Sequence, residues 1–113
     1  MSADTRARVR RRASVFAALG DERRLSLLTR LSSGPPQSIS RLAERSGLTR
    51  QGLTRHLRTL EDAGLISSRR IGRESVFEVR PEPLADLREY LAKVSSQWDD
   101  ALDRLRAFVE KDS

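Results

Sequence analysis

The last third of the chain follows an unbroken heptad pattern, and this pattern limits the possible folds more than any other feature. Apolar residues are spaced alternately by three and four positions along one segment: Leu84, Leu87, Leu91, Val94, Trp98, Ala101, Leu105 and Phe108. Such spacing places one apolar seam along a helix, which we predict over residues 83–109. That helix would be about 40 Å long, more than the roughly 30 Å diameter of a small domain. Its own chain cannot cover the whole seam, which favours a homodimer over a monomer with the helix in its core.

A first helix is predicted over residues 6–19, where apolar residues again recur at helical spacing and Gly20 ends the pattern. Five arginines between residues 6 and 12 surround its apolar side. We expect this helix to pack beside the C-terminal helix in the dimer. The predicted interface residues are Val9, Phe16, Leu87, Leu91, Val94, Trp98, Leu102 and Leu105.

Between these two helices, capping and turn residues predict three shorter ones. Acidic residues begin the second helix, and Gly34-Pro35-Pro36 ends it. Ser38 or Ser40 can cap a third helix that ends at Gly47, and Thr49 can cap a fourth. The predicted core residues of the second helix are Leu25, Leu28 and Leu31.

The third and fourth helices have the spacing of a helix-turn-helix. Ala43 is small where two helices cross closely, Gly47 permits the left-handed backbone of the turn, and Leu53 anchors the fourth helix on the third. Beyond them, β-branched and aromatic residues interrupted by a central glycine predict a two-stranded hairpin over residues 65–80. The predicted fold is mainly α, a winged helix-turn-helix of about five helices with a β-hairpin wing and a long C-terminal dimerisation helix. We expect one domain over residues 1–113.

The fourth helix, predicted over residues 49–62, has two different faces. Leu53, Leu57 and Leu60 form a stripe that must be buried, while arginine, glutamine and threonine side chains point away from it. Gly52 costs roughly 1 kcal/mol compared with alanine in a helix interior. We interpret it as allowing close approach to DNA or to a partner helix. His56 lies at the flank of the stripe, which favours packing or a phosphate contact over base reading.

A helix with this cationic face fits the DNA major groove, where arginine pairs with guanine and glutamine with adenine. Arginines at the hairpin tip would contact phosphates or enter the minor groove. A solvated surface is the alternative for these side chains. The predicted DNA-binding residues are Ser38, Thr49, Arg50, Gln51, Thr54, Arg55, Arg58, Arg69, Arg70 and Arg73.

Charge and composition narrow the possible functions further. Before Pro81 the chain has 17 arginines and eight acidic residues, whereas the remainder has more acids than cations. A GC-rich genome can explain abundant arginine, but it does not explain why the excess stops at Pro81. The chain has no cysteine and a single histidine, so we expect no enzyme and no cofactor. Without a long apolar run or a signal peptide, we expect a cytoplasmic protein with no membrane partner.

Three segments together resemble the ArsR (ArsR/SmtB) family of bacterial winged-helix repressors. They read FAALGDERRLSLL, ISRLAERSGLTRQGLTRHLRTLEDAGLI and RRIGRESVFEV, and the likeness extends from about Phe16 to Val79. The resemblance implies a homodimer that binds a palindromic operator near its own promoter. It also implies that the homodimer blocks transcription until an effector, here unknown, releases it.

Many members of this family sense metals, but the residues that would do so are missing here. The segment SISRLAE lacks the Cys-x-Cys motif of metal-sensing members, and the last helix has no histidine. Asp99, Asp100 and Asp103 form a poor transition-metal site and are better explained as a solvated face. The tail SSQWDDALDRLRAF resembles a metal-independent subgroup, so we predict no metal site.

A second interpretation of the same arginines remains open. An architectural or RNA-associated basic protein would use them without discriminating between base sequences. Gln51 and Thr54 among the arginines favour sequence discrimination instead.

Overall fold

Five helices and three strands form within residues 2–111, the part of the chain that the computed structural model describes. Their bounds are α1 Ala3–Leu19, α2 Glu22–Ser32, β1 Gln37–Ser38, α3 Ile39–Ser46, α4 Arg50–Asp62, β2 Ile66–Ile71, β3 Glu74–Val79 and α5 Pro81–Lys111. The predicted winged helix-turn-helix fold is confirmed, and α4 lies within one residue of its predicted bounds. The chain divides after Pro83 into two compact units, which we call the winged unit and the C-terminal unit.

Local capping explains where the helices of the winged unit begin. The Ser38 hydroxyl, rather than that of Ser40, accepts a hydrogen bond from the Arg41 amide at 3.2 Å and caps α3. The Thr49 hydroxyl accepts one from the Gly52 amide at 3.0 Å and caps α4. Between the two helices, Gly47 has φ 68°, the left-handed conformation predicted for the turn.

The sheet contains one strand more than the predicted hairpin. Strands β2 and β3 pair antiparallel from Ile66 opposite Val79 to Ile71 opposite Glu74. The two-residue strand β1 pairs with the other edge of β3, placing Ser38 opposite Val76. Because β1 leads directly into α3, the start of the helix-turn-helix is tied to the wing. A strand of two residues has no periodicity that sequence analysis could detect.

The core of the winged unit is made of aliphatic side chains. Those with less than 2% exposure are Leu42, Leu53, Leu57, Leu60, Leu65 and Ile66. The set includes the three leucines predicted to anchor α4, so that stripe is confirmed. Burying a side chain of this size contributes roughly 1.5–3 kcal/mol, and α4 is therefore held firmly by its inner face.

The predicted inner face of α2 was partly wrong. In α2, Leu27 is buried while Leu25 is 49% exposed. Arg24 takes the inner position in the first turn, where its guanidinium donates to α1 carbonyls. In α1, Val15 and Ala18 are buried, and Phe16, a predicted dimer-interface residue, is exposed. Only the last part of α1 supplies buried side chains.

The C-terminal unit begins at Leu84 and contains all of α5 except its first three residues. The whole helix of 31 residues would extend about 46 Å. Leu87 is only 5% exposed, so it has little surface left to offer a second chain. Val94 is half-buried. The other large apolar side chains from Leu91 onwards are 50–66% exposed: Leu91, Trp98, Leu102, Leu105, Phe108 and Val109. No helix in residues 2–111 has the length and apolar character needed to cross a membrane.

Candidate nucleic-acid interface

The outer face of α4 presents a row of polar and cationic side chains. Arg50, Gln51, Arg55 and Arg58 are all exposed, on the side opposite the buried leucines. None of these four forms a hydrogen bond or ion pair through its side chain within the described residues. The Thr54 hydroxyl donates to the Arg50 carbonyl at 2.9 Å, so it offers a methyl group and an acceptor oxygen outward. This combination can contact both base edges and phosphates.

The structure narrows the explanation of Gly52. A Cβ at this position would lie 3.1 Å from the Thr49 hydroxyl oxygen, and no other described group outside the local helix backbone lies within 4 Å. Close packing on a partner helix therefore does not explain the glycine. Two explanations for a glycine at this position remain: space for the capping hydroxyl of Thr49, and close approach of DNA to α4.

The amino end of α3 lies beside the wing. Ser38 is half-buried, and its oxygen accepts the Arg41 amide, which leaves its hydroxyl hydrogen available to donate to a phosphate. The neighbouring Ser40 hydroxyl donates to the Glu74 carboxylate on β3 at 3.0 Å. No local pattern indicated this second contact, which holds the helix end against the wing.

The wing carries its cations at and near its tip. Arg69, Arg70 and Arg73 are exposed, and Gly72 turns the hairpin with φ 64°. The Arg70 guanidinium donates to the Arg73 carbonyl at 3.5 Å. Ile71, which the sequence analysis did not select, is 56% exposed between these arginines. The tip therefore combines positive charge with an apolar side chain.

A second contact connects the wing to the recognition helix. The Ser68 hydroxyl on β2 donates to the Glu61 carboxylate of α4 at 2.7 Å. This bond directs one of the two acids at the end of α4 towards the wing, so it does not oppose the cations of the first turns. The two elements are joined at the base of the hairpin.

Arg24 connects three helices, a role the sequence analysis missed. Its guanidinium donates to the Ala18 carbonyl at 2.7 Å and the Ala17 carbonyl at 3.3 Å, satisfying the end of α1. Its third contact is with His56 Nδ1 on α4, at 3.3 Å. Arginine can only donate, so Nδ1 accepts. His56 is half-buried and contacts Arg24, so it lies away from the face of α4 that would read bases.

The same corner contains the cap of α2. The Asp21 carboxylate accepts the amides of Arg23 and Arg24 at 2.9 and 3.1 Å. The Arg24 amide is the main cause that holds the pKa of Asp21 below its ordinary value of 3.8; desolvation opposes it, while the Arg23 amide and the charge of Arg24 lower the pKa further. The DERR segment was a detectable signal for the cap, but nothing in it indicated His56.

Comparison with known proteins agrees with this geometry. The family described as "Helix-turn-helix domain" matches residues 12–69. The chain is 38% identical over 80 residues to the uncharacterized HTH-type transcriptional regulator YuzN of Bacillus subtilis, covering 66% of this chain and 87% of YuzN. The structure of an ArsR-like transcriptional regulator from Rhodococcus sp. RHA1 has a TM-score of 0.79 at 34% identity, covering 90% of this chain and 95% of that one.

A further similar structure is the homodimeric winged helix-turn-helix DNA-binding domain of Mb0332 from Mycobacterium bovis, a possible ArsR-family transcriptional regulator. Its TM-score is 0.69 at 26% identity, covering 86% of this chain and 89% of that one. The fold and its exposed cationic helix define a winged helix-turn-helix transcription regulator that binds DNA, not an enzyme. Within that class, the chain belongs to the ArsR family.

Proposed function

We propose that this chain is a homodimeric repressor that recognises an inverted-repeat operator, one copy of which lies near its own promoter. The observation that supports this most strongly is the outer face of α4. It presents unpaired arginines and Gln51 on a helix whose inner leucines have at most 1% exposure. A rigidly held helix with free hydrogen-bonding side chains suits base reading, because it orders few groups on binding.

Each part of the site has a distinct role in this proposal. Arg55 and Gln51 read base edges in the major groove, while Thr49 and Arg50 at the start of the helix contact phosphates. Thr54 offers its methyl group to thymine, and Arg58 contacts a base or a phosphate further along the groove. Ser38 and the wing arginines bind the backbone, which contributes affinity and salt dependence more than sequence choice.

Dimerisation would bring two such sites together. The exposed apolar seam of α5, together with Val9 and Phe16 of α1, supports a second copy of this chain as the partner. The homodimeric state of the similar Mb0332 domain points in the same direction. In a two-fold dimer, the recognition helices would lie about 34 Å apart and read two half-sites of an inverted repeat.

We further propose that DNA release in this regulator does not depend on a transition metal. The chain contains no cysteine, and no three His, Asp or Glu side chains converge to hold an ion within residues 2–111. The effector is unidentified. A regulator of bacterial promoters acts on the chromosome, so we place it in the cytoplasm.

Footprinting on the DNA upstream of the chain's own gene tests the proposal, together with competition by random duplex at fixed salt. We expect two protected half-sites about one helical turn apart and a specificity ratio of at least about 10³. A ratio near one would contradict sequence-specific repression and favour the architectural or RNA-associated alternative. Protection of a single half-site would contradict the dimer.

A further inference from the structure

A cleft between α2 and α3 gathers arginines that the DNA-binding face does not use. It consists of two adjoining cavities of about 320 and 440 Å³, whose walls share Arg30 and Arg45. Arg23 completes the first cavity, and Arg41 with the Gly34–Gln37 loop completes the second. None of the predicted DNA-binding residues lines either cavity. All of these residues belong to the winged unit.

Arg30 is fixed in the wall of this cleft. Its guanidinium donates to the Leu42 carbonyl at 3.0 Å and to the Arg41 carbonyl at 2.8 Å. The side chain is half-buried, and these two bonds use only part of its five N–H donors. A planar donor group held in place loses little conformational freedom when it binds an anion.

The charges around the cleft are not balanced within the chain. Four arginines line it, against the two carboxylates of Glu22 and Glu44, which leaves a local charge of +2. Within residues 2–111, the guanidinium groups of Arg23, Arg41 and Arg45 form no hydrogen bond or ion pair with the protein. Both glutamates are near enough to line the same cavities yet do not pair with them. An incoming anion would relieve the repulsion between the arginines.

One hydroxyl group adds a donor suited to an oxyanion. Ser26 and Ser46 line the first cavity, and Ser33 lines the second. The hydroxyls of Ser33 and Ser46 already donate to backbone carbonyls, so Ser26 is the hydroxyl of this cleft that can donate to an oxyanion. Arginine with serine around a concave surface is the chemistry that recognises phosphate groups, through bidentate and charge-assisted hydrogen bonds.

We propose that this cleft is a binding site for a small, freely diffusing polyanion that carries phosphate groups. The volume of each cavity is of the size that accommodates small ligands. The DNA backbone also carries phosphate groups. However, this cleft between α2 and α3, which we call the arginine cleft, is concave and shares no residue with the outer face of α4. Arg45 and Ser46 directly precede the Gly47 turn, so a bound polyanion would act at the junction that positions the recognition helix.

Isothermal titration calorimetry of the full chain with inorganic pyrophosphate, in the absence of DNA, tests this site. We expect saturable binding of one pyrophosphate per chain, with a Kd below about 1 mM. The double variant Arg41→Gln/Arg45→Gln should raise the Kd at least roughly tenfold, because it removes both cations of α3 from the cleft. The single variant Arg23→Gln provides a second, milder perturbation from α2 and should raise it as well.

The matched control is Arg8→Gln/Arg10→Gln, which removes the same charge from exposed positions on α1. It should leave the Kd for pyrophosphate unchanged within about twofold. Equal weakening by both double variants would show general charge attraction and overturn the proposal. Absence of pyrophosphate binding, with an effect of Arg41→Gln/Arg45→Gln on DNA affinity alone, would assign these arginines to the DNA backbone and would also overturn it. Neither result depends on whether the chain recognises a specific operator.

Discussion

The winged unit and the C-terminal unit treat their apolar residues in opposite ways. In the winged unit, six large aliphatic side chains have less than 2% exposure. In α5, every large apolar side chain from Trp98 to Val109 is more than half exposed. The winged unit contains its own core. The C-terminal unit has a continuous apolar seam, but most of that seam is exposed because no other part of the chain covers it. An apolar surface of that extent marks a place where another surface binds.

The distribution of charge follows the same division. The arginine excess lies before Pro81, whereas the seam helix belongs to the part with more acids than cations. Cations attract phosphate backbones. An interface between identical chains is more stable without a large net charge, because like charges on the two copies repel each other. The winged unit is therefore suited to DNA and the C-terminal unit to a second copy of the chain. The following substitutions test this contrast.

The largest effect should come from truncating the core of the winged unit. Leu57→Ala removes a side chain with 1% exposure and should lower the free energy of unfolding by about 2–5 kcal/mol. Chemical denaturation with an unchanged m-value would measure it. The same truncation at Leu105, in the seam, should cost less when measured at a protein concentration low enough to keep the chain monomeric. Equal costs at both positions would contradict the contrast between the units.

Disrupting the seam should act on assembly. Leu91→Glu combined with Trp98→Ala should give a monomer by analytical ultracentrifugation, because a charge replaces apolar surface and an aromatic anchor is lost. Operator affinity should fall on the order of a hundredfold, since the second half-site no longer binds in an intramolecular step. The change in net charge alone accounts for much less. A monomer that still binds the operator tightly would refute the dimeric mechanism.

A smaller loss is expected from removing one cation of the recognition face. Arg55→Ala should weaken operator binding by about 1–3 kcal/mol and relax sequence preference at one position of the half-site. Arg88→Ala, an equally exposed cation in the C-terminal unit, is the matched control and should change affinity little. Gel-shift titrations over several salt concentrations would compare the two. Similar losses for both would indicate attraction by total charge.

Gly52→Ala tests the one unusual residue of α4. Alanine favours the helix by roughly 1 kcal/mol, but its Cβ would press on the Thr49 hydroxyl at 3.1 Å, and losing that cap costs a similar amount. The two effects should nearly cancel, so stability should change by less than about 1 kcal/mol. We expect operator affinity to fall, because the added methyl group would take up space beside the DNA-binding face. Unaltered binding would show that the glycine is merely tolerated.

The smallest effect is the acid sensitivity of the α2 cap. The folded pKa of Asp21 is lowered, chiefly by the Arg24 amide, so its stabilising contribution is present above the ordinary value of 3.8 and is lost as the pH falls through the folded pKa. The difference in Tm between the natural chain and Asp21→Ala should be constant above about pH 5 and shrink below about pH 4. Asp21→Asn retains a capping oxygen without a charge and serves as control. A difference that grows in acid would contradict this role.

Much of the fold could be predicted because its signals are local. Thr49 caps α4, Gly47 makes the turn, and the three-leucine stripe faces inward, each from residues within a few positions of one another. The candidate DNA-binding side chains on α4 and the wing could be chosen for the same reason, since they lie opposite a buried stripe or at a hairpin tip. Their roles remain predictions that the binding experiments will decide.

Contacts between distant residues could not be predicted in this way. Strand β1 exists because Gln37 and Ser38 meet β3, about forty residues later, and two residues alone carry no periodicity. Arg24 replaced Leu25 on the inner face of α2 because its guanidinium reaches carbonyls of α1 and His56 of α4. The arginine cleft likewise joins residues from two helices and a loop.

By itself, the sequence determined the helices, the wing and the direction of the recognition face, because helical periodicity, caps and turns act over a few residues. It also determined that α5 carries a continuous apolar seam. Only the tertiary structure decided which parts of that seam remain exposed, which side chains of α1 and α2 turn inward, and how Arg30 and its neighbours surround a cleft. These outcomes depend on contacts between residues that are far apart in the sequence, and such contacts form only when the whole chain packs.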